Sequence, residues 1–108
     1  MSPQELNSSQ LAIDEIVSAW PEVRAKQVFG HRGYVRTGKM FGFHADAGVA
    51  VRTNDESDAS ALYARPGVAP FNYNGSMEMR AWPVLPLGSD GEVAAALTAL
   101  QEAYVRAG

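Results

Sequence analysis

The chain has 108 residues, a net charge of −3 and no cysteine. This length is typical of one domain, and it allows a single hydrophobic core without disulfides or structural metals. The absence of cysteine excludes disulfides, thiolate metal sites and thiol nucleophiles, and the acidic balance argues against a nucleic-acid-binding domain, whose charge is usually strongly basic.

Residues 2–20 are predicted to form the first helix. Ser2 fits the N-cap, Pro3 fits the first helical position, and Glu5 completes an S-x-x-E capping box. Pro21 ends the helix because proline cannot continue it. The apolar residues that recur at helical spacing, and therefore define a buried stripe, are Ile13, Ile16, Val17 and Trp20.

Residues 22–53 are predicted to form a meander of antiparallel strands, because the hydrophobic period shortens and glycine-containing turns divide the segment. Thr37-Gly38 is predicted to be a two-residue turn between two of these strands. A turn of that length would place Tyr34 directly opposite Phe41, as an aromatic pair on the buried face of the sheet. The predicted strands are residues 23–29, 32–36, 39–45 and 49–53.

The second half of the chain is predicted to contain a short helix, a hairpin and a C-terminal helix. Thr53-Asn54-Asp55-Glu56 is a second capping box and begins the short helix. The strands 68–73 and 76–84 follow, and Asn74-Gly75 between them is typical of a type I′ turn. Ser89-Asp90-Gly91-Glu92 is a third capping box and begins an amphipathic helix.

Together these elements predict an α+β fold in a single domain that covers residues 1–108. The connections are short, which favours antiparallel pairing over crossover connections, so we expect an antiparallel sheet made of a meander and a hairpin. The N- and C-terminal helices are expected to pack on one face of the sheet, with the short helix between them in sequence. The opposite face is expected to be open to solvent.

Two segments of the meander resemble a known family. They are Val28-Phe29-Gly30-His31-Arg32-Gly33-Tyr34 and Gly38-Lys39-Met40-Phe41-Gly42-Phe43. Their order is similar to that of the TfoX N-terminal domain family, over roughly residues 10–106. The later landmarks of the resemblance are Pro70-Phe71-Asn72-Tyr73, Trp82 and Val84-Leu85-Pro86. The sequence departs from the family's pattern at Val28, where methionine is common, and at Pro83, which intrudes between Trp82 and Val84.

The resemblance implies a stand-alone domain of the TfoX N-terminal type. It implies no catalytic or cofactor-binding residues. The family's named member, which is associated with the regulation of natural competence, carries an additional C-terminal domain, whereas this sequence ends at Gly108. We therefore do not expect the competence role to transfer.

No catalytic motif is recognisable in the sequence. It contains no nucleophile elbow, no Walker-type phosphate loop and no H-E-x-x-H motif, so we predict no catalytic residue and no cofactor. His31 and His44 would lie opposite each other in the register set by the Thr37-Gly38 turn. Two histidines do not make a zinc site, which usually needs three or four ligands, so no metal is predicted either.

Basic residues are concentrated in the middle of the chain. Residues 21–54 hold six of them, against the two acidic residues Glu22 and Asp46. The six basic residues are Arg24, Lys26, Arg32, Arg36, Lys39 and Arg52. We predict that Arg32, Arg36, Lys39 and Arg52 gather around one hairpin, where they would contact phosphates or an acidic protein surface.

The leading hypothesis is a non-enzymatic regulatory or protein-interaction domain that binds a protein partner, or a second copy of itself, through its free sheet face or edge. The alternatives are a nucleic-acid- or anion-binding module that uses the basic hairpin, and a small-molecule binder with a pocket between the sheet and a helix. The sequence has no secretory signal pattern and no apolar run long enough to span a membrane, so we expect a cytoplasmic protein with no membrane partner.

Overall fold

A six-stranded antiparallel sheet and three helices make up the described part of the chain, which comprises residues 5–28, 30–73 and 75–108 of a computed structural model. The strand order in the sheet is β1-β2-β3-β4-β6-β5. The elements in chain order are α1 (Ser8–Val17), β1 (Val23–Val28), β2 (His31–Arg36), β3 (Lys39–Ala45), β4 (Gly48–Val51), α2 (Glu56–Tyr63), β5 (Ala69–Tyr73), β6 (Met77–Leu85) and α3 (Asp90–Ala107). The predicted α+β class, with an antiparallel sheet and helices near both ends, is confirmed.

Helix α1 begins later than the sequence predicted, because the chain is not helical at residues 5–7. Asn7 is the N-cap: its side chain accepts a hydrogen bond from the backbone N–H of Gln10, and the Gln10 side chain accepts one from the backbone N–H of Asn7. The Gln10 amide also donates to the carbonyls of Asp46 and Gly48, which ties the helix start to the β3–β4 turn. Ser2 and Pro3 lie outside the described residues.

The other two helices are capped by aspartate and serine. The predicted N-cap of α2, Thr53, is wrong: Asp55 caps this helix by accepting from the N–H of Asp58. The Thr53 hydroxyl instead donates to the carbonyl of Ala81 in β6, which anchors the chain to the sheet just before α2. Helix α3 begins as predicted, since the Ser89 hydroxyl accepts from the N–H of Glu92.

A β-bulge lies between β2 and β3 and overturns the predicted register. Thr37 and Gly38 form the expected two-residue turn, both with positive φ, and Arg36 pairs with Lys39. The register then shifts by one residue, so Tyr34 pairs with Gly42 and not with Phe41. Phe41 is the extra residue of the bulge, and the Tyr34 and Phe41 rings still stack, with their centroids 6.2 Å apart.

The hairpin predicted in the second half of the chain is formed by β5 and β6. Tyr73 pairs with Met77, so residues 74–76 connect the strands, one residue more than a two-residue turn. Gly75 has a φ of +71°, as a tight connection requires, and Asn74 lies outside the described residues, as does Phe29. A second register shift lies between Pro70 and Phe71.

Helices α1 and α3 pack on the same face of the sheet and form the larger hydrophobic core with it. In this core Leu100 of α3 reaches the backbone of β3 at Gly42, where an added Cβ would lie only 2.5 Å from the Leu100 Cδ2 atom. The fully buried residues of this core include Ile13, Val17, Tyr34, Phe41, Val49, Val51, Ala96 and Leu100.

The face away from the helices was expected to be open to solvent, and this is wrong. It holds a second core of Phe43, Ala45, Ala50, Phe71 and Trp82, in which Phe43 has no exposed surface. The His31 ring in β2 lies 5.5 Å from the Phe71 ring in β5, although these strands are four positions apart in the sheet. In a flat sheet four strand spacings amount to about 19 Å. The sheet therefore curls around its aromatic side chains, and the two bulges assist this curvature.

Candidate anion-binding cleft

A cleft of about 410 Å³ lies where the end of the sheet meets the end of α3. This volume falls within the usual range for small-molecule sites. The lining residues that the argument uses are Lys39 of β3, Arg52 to Asn54 after β4, Trp82 of β6, and Arg106 with Ala107 of α3. The cleft thus combines residues that are distant in sequence.

Lys39 is brought to the cleft by the β2–β3 turn. It is the first residue of β3, directly after Thr37 and Gly38. The Thr37 hydroxyl donates a hydrogen bond to the carbonyl of Ala107 in the last turn of α3. This bond joins the hairpin to the end of the helix beside the cleft.

Arg52 and Arg106 also line the cleft and contact each other. The Arg106 guanidinium donates to the backbone carbonyl of Arg52, over 3.0 Å. It also lies 3.7 Å from a carboxylate oxygen of Asp58, a pair in which both side chains are more than a third exposed. The Arg52 guanidinium lies over the Trp82 ring, 5.5 Å from its centroid, at a distance typical of a cation–π contact.

The charged side chains that line the cleft are all positive. Among the described residues that line it, three carry a positive charge and none is a carboxylate, a histidine or a cysteine. Guanidinium groups present several N–H donors in a plane that matches phosphate and carboxylate oxygens, and the lysine ammonium adds a further charge. The lining can bind an anion, but it offers no carboxylate or imidazole to act as a general base.

The four residues predicted as an anion contact are divided between two places. Lys39 and Arg52 lie together in the cleft. Arg32 instead contacts Asp14 of α1, with the Arg32 Nε 2.6 Å from the Asp14 Oδ1. Arg32 and Arg36, the two predicted residues that lie outside the cleft, both face the helices.

Arg36, the fourth of these residues, is held against α3 and the α1–β1 connection. Its guanidinium is 2.9 Å from the Glu22 carboxylate and 2.9 Å from the carbonyl of Tyr104. It also covers the Tyr104 ring, with 4.1 Å between the guanidinium carbon and the ring centroid. The sequence prediction missed Arg106, although a basic residue in the last turn of an amphipathic helix was a signal that could have found it.

A second group of polar side chains is buried between the sheet and α1. The Tyr34 hydroxyl lies 2.7 Å from the Asp14 Oδ1 and 2.6 Å from the His44 Nε2. The tyrosine has one proton to donate and the carboxylate can only accept, so Tyr34 donates to Asp14 and accepts from the Nε2–H of His44. Arg32 donates to the same carboxylate oxygen.

Burial dominates the electrostatics of this group. It lowers the pKa of His44 to about 4 and raises the pKa of Tyr34 well above its usual range. Burial also acts to raise the pKa of Asp14, but hydrogen bonds from Tyr34 and Arg32 outweigh it and hold this pKa below its ordinary value. His44 has no exposed surface, so the arrangement joins α1 to the sheet and leaves its imidazole out of reach of a substrate.

The predicted juxtaposition of the two histidines is wrong. His44 faces the helices and contacts Tyr34, whereas His31 packs against Phe43 and Phe71 in the core on the opposite face. The β-bulge separates them because it changes which residues of β3 point to each face. Within residues 5–28, 30–73 and 75–108, no three side chains of histidine, cysteine, aspartate or glutamate cluster as metal ligands would.

None of the helices in the described ranges is both long enough and apolar enough to cross a bilayer. A scan against models of known protein families found no match, and a search of curated proteins found no similar sequence. The similarity to the TfoX N-terminal domain family, which the order of its motifs indicates, therefore stays a prediction.

Proposed function

We propose that this chain is a non-catalytic binding domain and that its cleft binds a small phosphate-bearing molecule. The observation that carries the proposal is the convergence of Lys39, Arg52 and Arg106 on one concavity with no carboxylate among its described lining residues. Like charges are brought together at a cost, which a bound anion removes.

The size of the cleft favours a small ligand over a polymer. Its volume of about 410 Å³ suits a group such as a diphosphate, with Trp82 and Ala103 among the apolar residues of the lining. The chain turns acidic immediately beyond Asn54, because Asp55 and Glu56 begin α2. A nucleic-acid backbone that continued past the cleft on this side would meet these carboxylates, which disfavours it by like-charge repulsion.

Isothermal titration calorimetry of the protein with pyrophosphate tests the proposal. We expect saturable binding at one site that weakens as the salt concentration rises, because the contacts are ionic. Lys39→Gln and Arg52→Gln each remove one charged hydrogen-bond donor from the cleft. Each should weaken binding by about tenfold or more, since a hydrogen bond to a charged group contributes about 1.5 to 3 kcal/mol.

Lys26→Gln is the matched control. It removes the same charge from an exposed position on β1, outside the lining of the cleft. We expect its affinity for pyrophosphate to equal that of the unmodified protein. The proposal is wrong if pyrophosphate does not bind, or if the control weakens binding as much as the cleft variants do.

A further inference from the structure

Strand β1 forms an exposed edge of the sheet. It lies at the end of the strand order, and no strand within residues 5–28, 30–73 and 75–108 pairs with its outer side. Residues 24–27 are all exposed. Because every second residue of an antiparallel strand points its N–H and C=O groups away from its neighbour, β1 offers a row of backbone donors and acceptors.

Strand β1 also has a regular register, which suits it to accept another strand. It pairs with β2 through six consecutive residues, from Val23 with Arg36 to Val28 with His31, without a register shift. The other edge strand, β5, is less suitable. It contains Pro70, which has no N–H to donate, and its register shifts at the next residue.

The side of β1 that points away from the helices is basic. Tyr34 faces the helices, and its neighbours Gly33 and Val35 pair with Lys26 and Arg24, so these two cations point to the opposite face. Among the described residues, no salt bridge involves either cation. The one acidic residue in the described strands, Glu78, alternates with the methionines of β6, the strand next to the other edge strand, β5.

These two cations argue against pairing of β1 with a second copy of itself in the registers centred on residues 24 to 26. Residues directly opposite in an antiparallel pair point to the same face, so a two-fold axis must pass through a residue of β1. An axis at Ala25 would place Arg24 opposite Lys26 of the second copy. An axis at Arg24 would place Arg24 opposite Arg24 of the second copy, and an axis at Lys26 would do the same for Lys26. Like charges directly opposite each other on paired strands are destabilising.

We propose that β1 binds an extended acidic segment of a partner protein as a seventh strand of the sheet. The main chain of the segment would bond to the outer side of β1. Carboxylates at alternate positions of the segment would lie opposite Arg24 and Lys26. This proposal is independent of the anion cleft.

A labelled, capped peptide of five Thr-Glu repeats is a suitable probe, with five Thr-Lys repeats as its counterpart. We expect fluorescence anisotropy to show binding of the Thr-Glu peptide and not of the Thr-Lys peptide. Two N-methylated versions of the Thr-Glu peptide test for strand pairing. Every second backbone nitrogen is methylated, at the threonines in one phase and at the glutamates in the other. One phase should abolish binding, because it removes the N–H groups that face β1.

The double variant Arg24→Glu/Lys26→Glu should reverse the preference between the two peptides. Its affinity for the Thr-Glu peptide should fall by about tenfold or more, because two cross-strand pairs change from attraction to repulsion. Arg65→Glu, an exposed charge reversal after α2, and the cleft variant Lys39→Gln should keep the original preference.

Three outcomes would overturn the proposal. The first is the absence of peptide binding. The second is binding that neither phase of N-methylation affects, which would mean that charge alone holds the peptide. The third is a dimer in light scattering that the double variant disrupts, which would show that a second copy occupies β1.

Discussion

The burial of His44 predicts that the protein loses stability in mildly acidic solution. The pKa of this imidazole is lowered to about 4 in the folded protein by burial, whereas the unfolded chain has the ordinary value of 6.5. Between these two values the unfolded chain binds a proton that the folded protein does not. The free energy of unfolding therefore falls as the pH drops from about 7 to about 4.

The size of this effect follows from the difference between the two pKa values. The gap between 6.5 and about 4 corresponds to about 3 kcal/mol, with a slope of at most about 1.4 kcal/mol per pH unit. Many domains of this size have a total stability of only about 5 to 15 kcal/mol. Asp14 acts at lower pH, because its lowered pKa gives stability that is lost only as the pH falls below about 4.

Urea unfolding at a series of pH values from 7.5 to 4.5 measures this loss. The variant His44→Gln keeps an N–H that can donate to Tyr34 but cannot take up a proton in this range. Whatever its stability at pH 7.5, its unfolding free energy should change between pH 7.5 and 4.5 by about 2.5 kcal/mol less than that of the unmodified protein. If the two profiles are parallel, the reasoning about His44 is refuted.

Two further changes test how the helices are attached to the sheet. Gly42→Ala should destabilise the protein by about 1 to 3 kcal/mol in urea unfolding, because the new methyl group would crowd the buried Leu100. The double variant with Leu100→Ala should cost less than the sum of the two single changes, and strict additivity would contradict the proposed contact. Asn7→Ala should cost about 1 kcal/mol through loss of the α1 N-cap, whereas Asn7→Ser should cost less because serine can also cap; equal losses would argue against the cap.

The register of β2 and β3 shows a limit of sequence reasoning. The turn at Thr37 and Gly38 was predictable from the two residues alone, but the bulge was not. The order Phe41, Gly42, Phe43 reads as regular alternation, with both phenylalanines on one face. The structure places them on opposite faces, because Gly42 also turns toward the helices and admits Leu100, which is far away in sequence.

The start of α1 illustrates a similar ambiguity. Two capping patterns precede the helical stripe, Ser2 with Glu5 and Asn7 with Gln10, and local chemistry does not decide between them. The second pattern caps α1 because Gln10 also bonds to two carbonyls of the β3–β4 turn. These are tertiary contacts, so no inspection of the first 20 residues would have found them.

The candidate cleft was predictable only in part. A count of charges found the basic middle of the chain, and Lys39 and Arg52 belong to it. The count could not show which cations already have a carboxylate beside them, as Arg32 does in Asp14. It also could not include Arg106, which reaches Arg52 only because α3 runs back across the sheet.

Strand β3 is shared by the two cores, since it sends Phe41 to one and Phe43 to the other. Neither core can separate from the sheet without exposing an aromatic ring of the same strand. We therefore expect the two halves of the interior to unfold in one transition, and the amide protons of β3 to be among the slowest in the chain to exchange with solvent.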